Sequence, residues 1–187
     1  MPTSSDTKDQ IISVASALFT KYAYTGVSMS QIAKALGITK AALYYHYPSK
    51  LAIYRQVLDI TYQDLCHHLS IVQTGKTAIQ KLRQLIWAYL NFGLSKSGLI
   101  RMMVAESPNN LPYLAKYIFH FRQQTDIIVH SYAKKIINEL DGHLSDTLLV
   151  NVLNGLLLEL SLSAKKPNIQ TIANRTTTAL LGISLSK

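Results

Sequence analysis

Apolar residues recur at three- and four-residue intervals through most of this chain. Ile11, Ile12, Ala15, Leu18, Phe19 and Tyr22 form one stripe, Ile32, Ala33 and Leu36 a second, and Leu51, Tyr54, Leu58, Tyr62, Leu65 and Leu69 a third. Such spacing buries one side of a helix and leaves the other in water. No stretch sustains the alternation of a strand, so the pattern predicts an all-α fold of about nine helices. The expected helices cover residues 7–22, 28–36, 39–47, 49–69, 77–94, 100–105, 112–140, 145–164 and 168–185.

The punctuation between the stripes is specific. Thr7 with Gln10, and Ser28 with Gln31, have the spacing of capping boxes, in which each side chain satisfies an orphan amide of the other residue. Gly37 supplies the permissive backbone that a tight turn after a helix needs, Ile38 plugs that turn, and Thr39 is a good N-cap for the next helix. Pro48 disfavours helical geometry at Tyr47 and ends that helix; Ser49 caps the following one. Pro112 suits the first turn of the long helix, and Asp141-Gly142 its end. Two short helices around a glycine turn, preceded by a longer one, outline a helix-turn-helix. Residues 1–50 are accordingly expected to form a three-helix DNA-binding domain. A helix over 50–70 connects it to a second helical domain over 51–187, for which the resemblance given below implies ligand binding and dimerisation.

The segment 145–164 carries two apolar lines. Leu149, Leu153, Leu156 and Leu160 mark one; Leu148, Val152, Gly155 and Leu162 mark the other. A helix that is apolar on two sides is buried on two sides. Either it packs on its own domain and on a second copy, with Gly155 allowing close approach, or it lies at the centre of a monomer.

Composition narrows the function classes. The chain has 187 residues, a formal net charge of +9 and a single cysteine, Cys66. The charge favours an anionic partner, nucleic acid first. It does not single out the first fifty residues, where five lysines face two aspartates, against fourteen basic and eight acidic residues in the rest. One cysteine permits no internal disulfide and suits a reducing compartment. The longest apolar run, 144–164, is broken by Asp146, Asn151, Asn154 and Glu159. No signal peptide or membrane span is expected, so the protein is read as cytoplasmic. An enzyme needs convergent titratable groups, but the histidines are scattered at 46, 67, 68, 120, 130 and 143, and there is no glycine-rich phosphate loop. No enzymatic activity, metal or cofactor is expected.

On the third helix, about 100° per residue turns Thr39, Leu43 and Tyr47 toward the first two helices and Lys40, Ala41, Tyr44 and Tyr45 away from them. The outward face is small, cationic and aromatic. Lys40 can donate to guanine acceptors or a phosphate, Ala41 and Ala42 can touch a thymine methyl, and the tyrosine hydroxyls and His46 can reach phosphates. Ser28 and Ser30 at the start of the second helix, and Lys50 at the start of the fourth, can hold further phosphates. Aromatics at helical spacing are more often core than surface, so a core position is the alternative for these tyrosines; a structural histidine and a solvated lysine are the alternatives for His46 and Lys40.

The run T-G-V-S-M-S-Q-I-A-K-A-L-G-I-T-K-A-A-L-Y-Y-H-Y-P-S-K, residues 25–50, resembles the N-terminal domain of the tetracycline-repressor (TetR) family of bacterial transcriptional regulators. Gly37, Leu43, Tyr44, His46 and Lys50 stand at the family's signature spacings, and the resemblance covers roughly the first 55 residues. Leu51 departs from it, since the family often has an acidic residue there. The resemblance implies base contacts at Lys40, Ala41, Ala42 and Tyr45, and phosphate contacts at Ser28, Thr39, Tyr44, His46 and Lys50. It also implies a homodimer through the last two helices, which would involve Leu148, Val152, Gly155, Leu162, Ile172, Thr176 and Leu180, on a palindromic double-stranded operator. A small-molecule effector inside the second domain would shift the fourth helix and release DNA. Trp87, Asn91, Phe92, Met102, Met103, Glu106, Tyr113, Tyr117 and Phe121 lie on the segments that would line its pocket, although each is as readily core. The alternative is a DNA-binding architectural or cell-division factor of the same fold that senses no ligand.

Overall fold

The structure is a computed structural model that describes residues 4–74, 77–96, 112–140, 144–163 and 167–182. Among these are eight α-helices and no strand: α1 (Ser4–Tyr22), α2 (Met29–Leu36), α3 (Lys40–His46), α4 (Lys50–Ser70), α5 (Ala78–Ser95), α6 (Pro112–Ile137), α7 (Asp146–Leu162) and α8 (Ile169–Leu180). A 3-10 turn, Ile71–Thr74, follows α4. The expected helix over 100–105 and the Asp141-Gly142 stop lie outside the described residues.

Local chemistry accounts for most boundaries. The Ser28–Gln31 capping box forms in both directions: Ser28 N–H donates to Gln31 Oε1 at 2.7 Å, and Gln31 N–H donates to Ser28 Oγ at 3.2 Å. Gly37 ends α2 in the left-handed conformation, φ 69°, where a side chain would strain the backbone. Thr39 Oγ1 accepts from Ala42 N–H, and Tyr47 before Pro48 is extended, φ −139° and ψ 117°, which stops α3. Ser49 Oγ accepts from Ala52 N–H at the head of α4. A further capping box, Thr77 with Gln80, opens α5. α1 begins a turn earlier than its Thr7 signal, because Asp6 in the first turn complements the positive helix end. Tyr22, expected in the α1 stripe, is instead exposed, with the Lys21 ammonium 5.0 Å from its ring centre.

The chain divides into two compact units, 1–61 with 96–121, and 62–95 with 122–187. This differs from a boundary at residue 50. The first half of α4 buries Ile53, Tyr54 and Val57, and Tyr54 meets Phe19 and Tyr24 edge-on at ring separations of 5.1 and 4.9 Å. The start of α6 belongs to the same unit: Arg55 lies over the Tyr117 ring at 4.6 Å, and Leu114, Ile118 and Phe121 are buried. The first unit is therefore closed by residues some sixty positions beyond its sequence neighbours, which no contiguous reading anticipates.

In the second unit α5 is the central element. It buries Leu82, Leu85, Ile86, Ala88, Tyr89, Leu90, Phe92 and Gly93 and packs on α7, α8 and the 3-10 turn. Tyr89 donates to Asn154 Oδ1, and its burial beside Asp126 pushes the phenol well above the ordinary tyrosine value. A methyl at Gly93 would overlap the terminal carbons of Leu157. Gly93→Ala is expected to lower the unfolding free energy by about 1–2 kcal/mol, read as an earlier urea midpoint; an unchanged midpoint would mean that α7 yields at no cost.

Candidate nucleic-acid interface

α3 carries two faces, with Leu43 inward as its sequence predicts and Thr39 the exception. Leu43 is fully buried, while Lys40, Ala41 and Ala42 are exposed; Tyr44 is 44% and Tyr45 86% exposed. An exposed large aromatic one helical turn from Ala41 and Ala42 has no core role to explain it. The Lys40 ammonium lies 5.8 Å from the centre of the Tyr44 ring, and the Tyr45 and His46 rings meet edge-on at 5.3 Å. His46 and Tyr47 are half-buried, and burial, with Asp9 nearby, pushes the Tyr47 phenol up.

Ser28 and Ser30 are exposed at the head of α2. Ser28 Oγ already accepts the Gln31 amide, and a hydroxyl that accepts there can still donate outward. Thr39 caps α3 from an exposed position rather than turning inward.

Lys50 requires a correction. Its Nζ donates to the carbonyl oxygens of Tyr24 and Val27, both at 2.8 Å, and sits 4.0 Å over the Tyr24 ring. These carbonyls lie in the loop before α2; that of Tyr24 also accepts from Val27 N–H at 3.4 Å, and the ammonium donates to both instead of facing a phosphate. Burial, with the Tyr113 hydroxyl alongside, pushes the Tyr24 phenol up to about 12. Lys50→Met is expected to lower the stability of this unit by about 2 kcal/mol, seen as an earlier thermal transition. An unshifted transition would mean the two carbonyls are satisfied without it.

The residues expected to line an effector pocket fall in both compact units. Tyr113, Tyr117 and Phe121 belong to the first unit, with Tyr113 beside Tyr24 and Tyr117 beneath Arg55. Trp87, Asn91 and Phe92 belong to the second; Phe92 is buried with its ring 5.3 Å from that of His68. Met102, Met103 and Glu106 lie outside the described residues. Trp87 does line a cavity of about 300 Å³, together with His68, Ile71, Val72, Arg83, Gln84, Ala88 and Gln170. Sequence reasoning missed Arg83 and Gln84, whose polar side chains read as an ordinary solvated face.

On α7, Leu149, Val150, Leu153, Leu157 and Ser161 are buried, whereas Leu148 and Leu162 remain 52% and 64% exposed and Gly155 meets open space. α8 turns Ala173 and Thr177 inward and leaves Ile172, Thr176 and Leu180 half-buried. Leu148, Gly155 and Leu162 of the second apolar line are thus uncovered in a single chain, and Val152 is half-buried. Among the described residues no helix is long and apolar enough to cross a membrane, and no group of three His, Cys, Asp or Glu is placed to hold a metal.

Residues 11–57 match the family of bacterial regulatory proteins called tetR. The chain is 34% identical over 85 residues to IcaR of Staphylococcus aureus, the HTH-type negative transcriptional regulator of the biofilm operon icaADBC. That match covers 44% of this chain and 45% of IcaR, so it spans under half the length of either protein. In fold, the chain resembles the Bacillus subtilis transcriptional regulator FadR, solved with stearoyl-CoA, with a TM-score of 0.72 and 17% identity over 95% of this chain and 99% of FadR. It also resembles AibR, solved with isovaleryl coenzyme A and operator DNA, with a TM-score of 0.71 and 19% identity over 93% and 97% of the two chains. The similarity in sequence to the tetR family of bacterial regulatory proteins is thus confined to the helix-turn-helix region and the residues around it.

Proposed function

We propose that this protein is a cytoplasmic, non-enzymatic DNA-binding regulator that represses transcription. It binds a palindromic operator as a homodimer and lets go when a small molecule occupies its second unit. The observation that carries this reading is the outward face of α3, where Lys40, Ala41, Ala42, Tyr44 and Tyr45 stand exposed on a helix capped at both ends. Inserted in the major groove, the alanines allow close approach to base edges, Lys40 and Tyr45 contact bases, and Tyr44, His46, Thr39, Ser28 and Ser30 engage phosphates. The sign of regulation is supported by the negative regulator to which the N-terminal part is similar.

A dimer supplies two such helices, and half-sites about one turn of DNA apart then follow from its symmetry. Leu148, Val152, Gly155 and Leu162 on α7, with Ile172, Thr176 and Leu180 on α8, form the surface for the second copy. Effector release requires a ligand that prefers the non-binding conformer, since equal affinity for both shifts nothing. Two solved regulators of this fold hold acyl-CoA ligands, which supports ligand response over a purely architectural role.

Genome-wide mapping of bound DNA tests the reading. A few discrete sites sharing an inverted repeat beside promoters are expected; even coverage without a shared repeat would contradict it.

A further inference from the structure

The cavity beside Trp87 is lined mainly by apolar surface, and two of its residues, Arg83 and Gln84, are neighbours on α5. Arg83 Nε and Gln84 Oε1 are buried with no hydrogen-bond partner. Both atoms are closed off from the surface, so what Arg83 can offer a ligand in the cavity is the remaining N–H donors of its guanidinium. The other wall is formed by His68 on α4, Ile71 and Val72 of the 3-10 turn, and Gln170 on α8. His68 is already held, since Nδ1 lies 2.8 Å from the Asp64 carbonyl oxygen and donates to it. The guanidinium of Arg83 is permanently charged, and among the described residues it has no carboxylate partner.

We infer that this cavity is a binding site for a small amphipathic carboxylate, whose apolar body lies against Trp87, Ile71, Val72 and Ala88 and whose carboxylate accepts from Arg83. Gln84 lines the same cavity, and its NH2 can donate to the same carboxylate. The charge of Arg83 is then compensated. A volume of about 300 Å³ suits a molecule of this size rather than a large cofactor. The inference deepens the effector part of the proposed function and rests on that reading only for its regulatory consequence; occupancy of the cavity stands on the geometry alone.

Trp87 is the only tryptophan of the chain, so its emission reports on this cavity without labelling. Octanoate is a suitable probe because it does not absorb where tryptophan does. Titrated into the full-length protein, octanoate is expected to change Trp87 emission saturably. Neutral octanamide and 1-octanol should bind at least about tenfold more weakly, because neither carries the charge that Arg83 compensates. Arg83→Met, which keeps the aliphatic stem, should erase the preference for octanoate, and Gln84→Leu should reduce it.

Equal affinity of octanoate and 1-octanol for the wild type would overturn the inference, as would an unchanged preference in Arg83→Met or the absence of any response to octanoate. The wild-type comparison decides the matter even where a variant fails to fold. Octanoate binding with no effect on operator affinity would uphold the site and contradict its role as the effector pocket. Release of DNA by another compound, with no octanoate binding, would do the reverse.

Discussion

Replacing both Lys40 and Tyr45 with alanine is expected to lower operator affinity roughly a hundredfold while leaving the thermal transition within about a degree or two of the wild type. The two halves of that expectation have separate causes. Tyr45 is 86% exposed and Lys40 is exposed, so neither contributes to the core that Leu43, Ile32 and Phe19 form. Alanine is also a better helix former than tyrosine, so α3 itself is not weakened. Each half-site, however, loses a cation and a large contact surface at the point where base edges are read. Lys40→Ala alone should weaken binding to all sequences and flatten the salt dependence, whereas Tyr45→Ala should relax discrimination between operators. Anisotropy titrations at two salt concentrations separate these effects. Wild-type affinity in the double variant would move the reading surface away from α3.

The second large effect is expected at Gly155. A side chain there meets no atom within 4 Å in a single chain, so Gly155→Arg is tolerated by the protomer fold. Leu148 and Leu162 nearby are more than half exposed, an arrangement that a covered surface explains better than an open one. Placing a guanidinium in the middle of that surface should convert dimers to monomers in light scattering. Operator affinity should fall roughly a hundredfold or more, because each half-site then binds without its tethered neighbour. A variant that remains dimeric would locate the interface elsewhere, and a monomeric variant with full affinity would show that one reading head suffices.

Both predictions rest on parts of the chain whose sequence is unusually legible. The Ser28–Gln31 box, Gly37, Thr39 and the Tyr47-Pro48 pair are local signals, each deciding a boundary within three or four residues, and each forms in the structure. The division of α3 into an inner Leu43 and an outer Lys40, Ala41 and Tyr45 follows from helical spacing alone.

What escaped sequence reading depends on contacts between distant residues. Lys50 stands at a spacing that suggests a phosphate ligand, yet its ammonium is held by carbonyls of residues 24 and 27, which become neighbours only after the chain has turned twice. Tyr113 and Tyr117 lie on an amphipathic helix whose sequence does not show that they pack beside Tyr24 and Arg55. The membership of α6 in both compact units cannot be read from a linear boundary. Arg83 and Gln84 carry no motif, and their significance lies in lining an apolar cavity with Trp87, a property that exists only in three dimensions.

The central claim is that α3, presented twice by a symmetric pair, reads an inverted repeat. Selection of bound duplexes from a randomised pool by the wild-type protein, run in parallel with the Lys40→Ala, Tyr45→Ala double variant, tests it most directly. The wild type is predicted to enrich a single inverted repeat whose half-site centres lie about one helical turn, or a multiple of it, apart, while the variant enriches none. The same repeat recovered by both proteins, or no repeat recovered by the wild type, would contradict it.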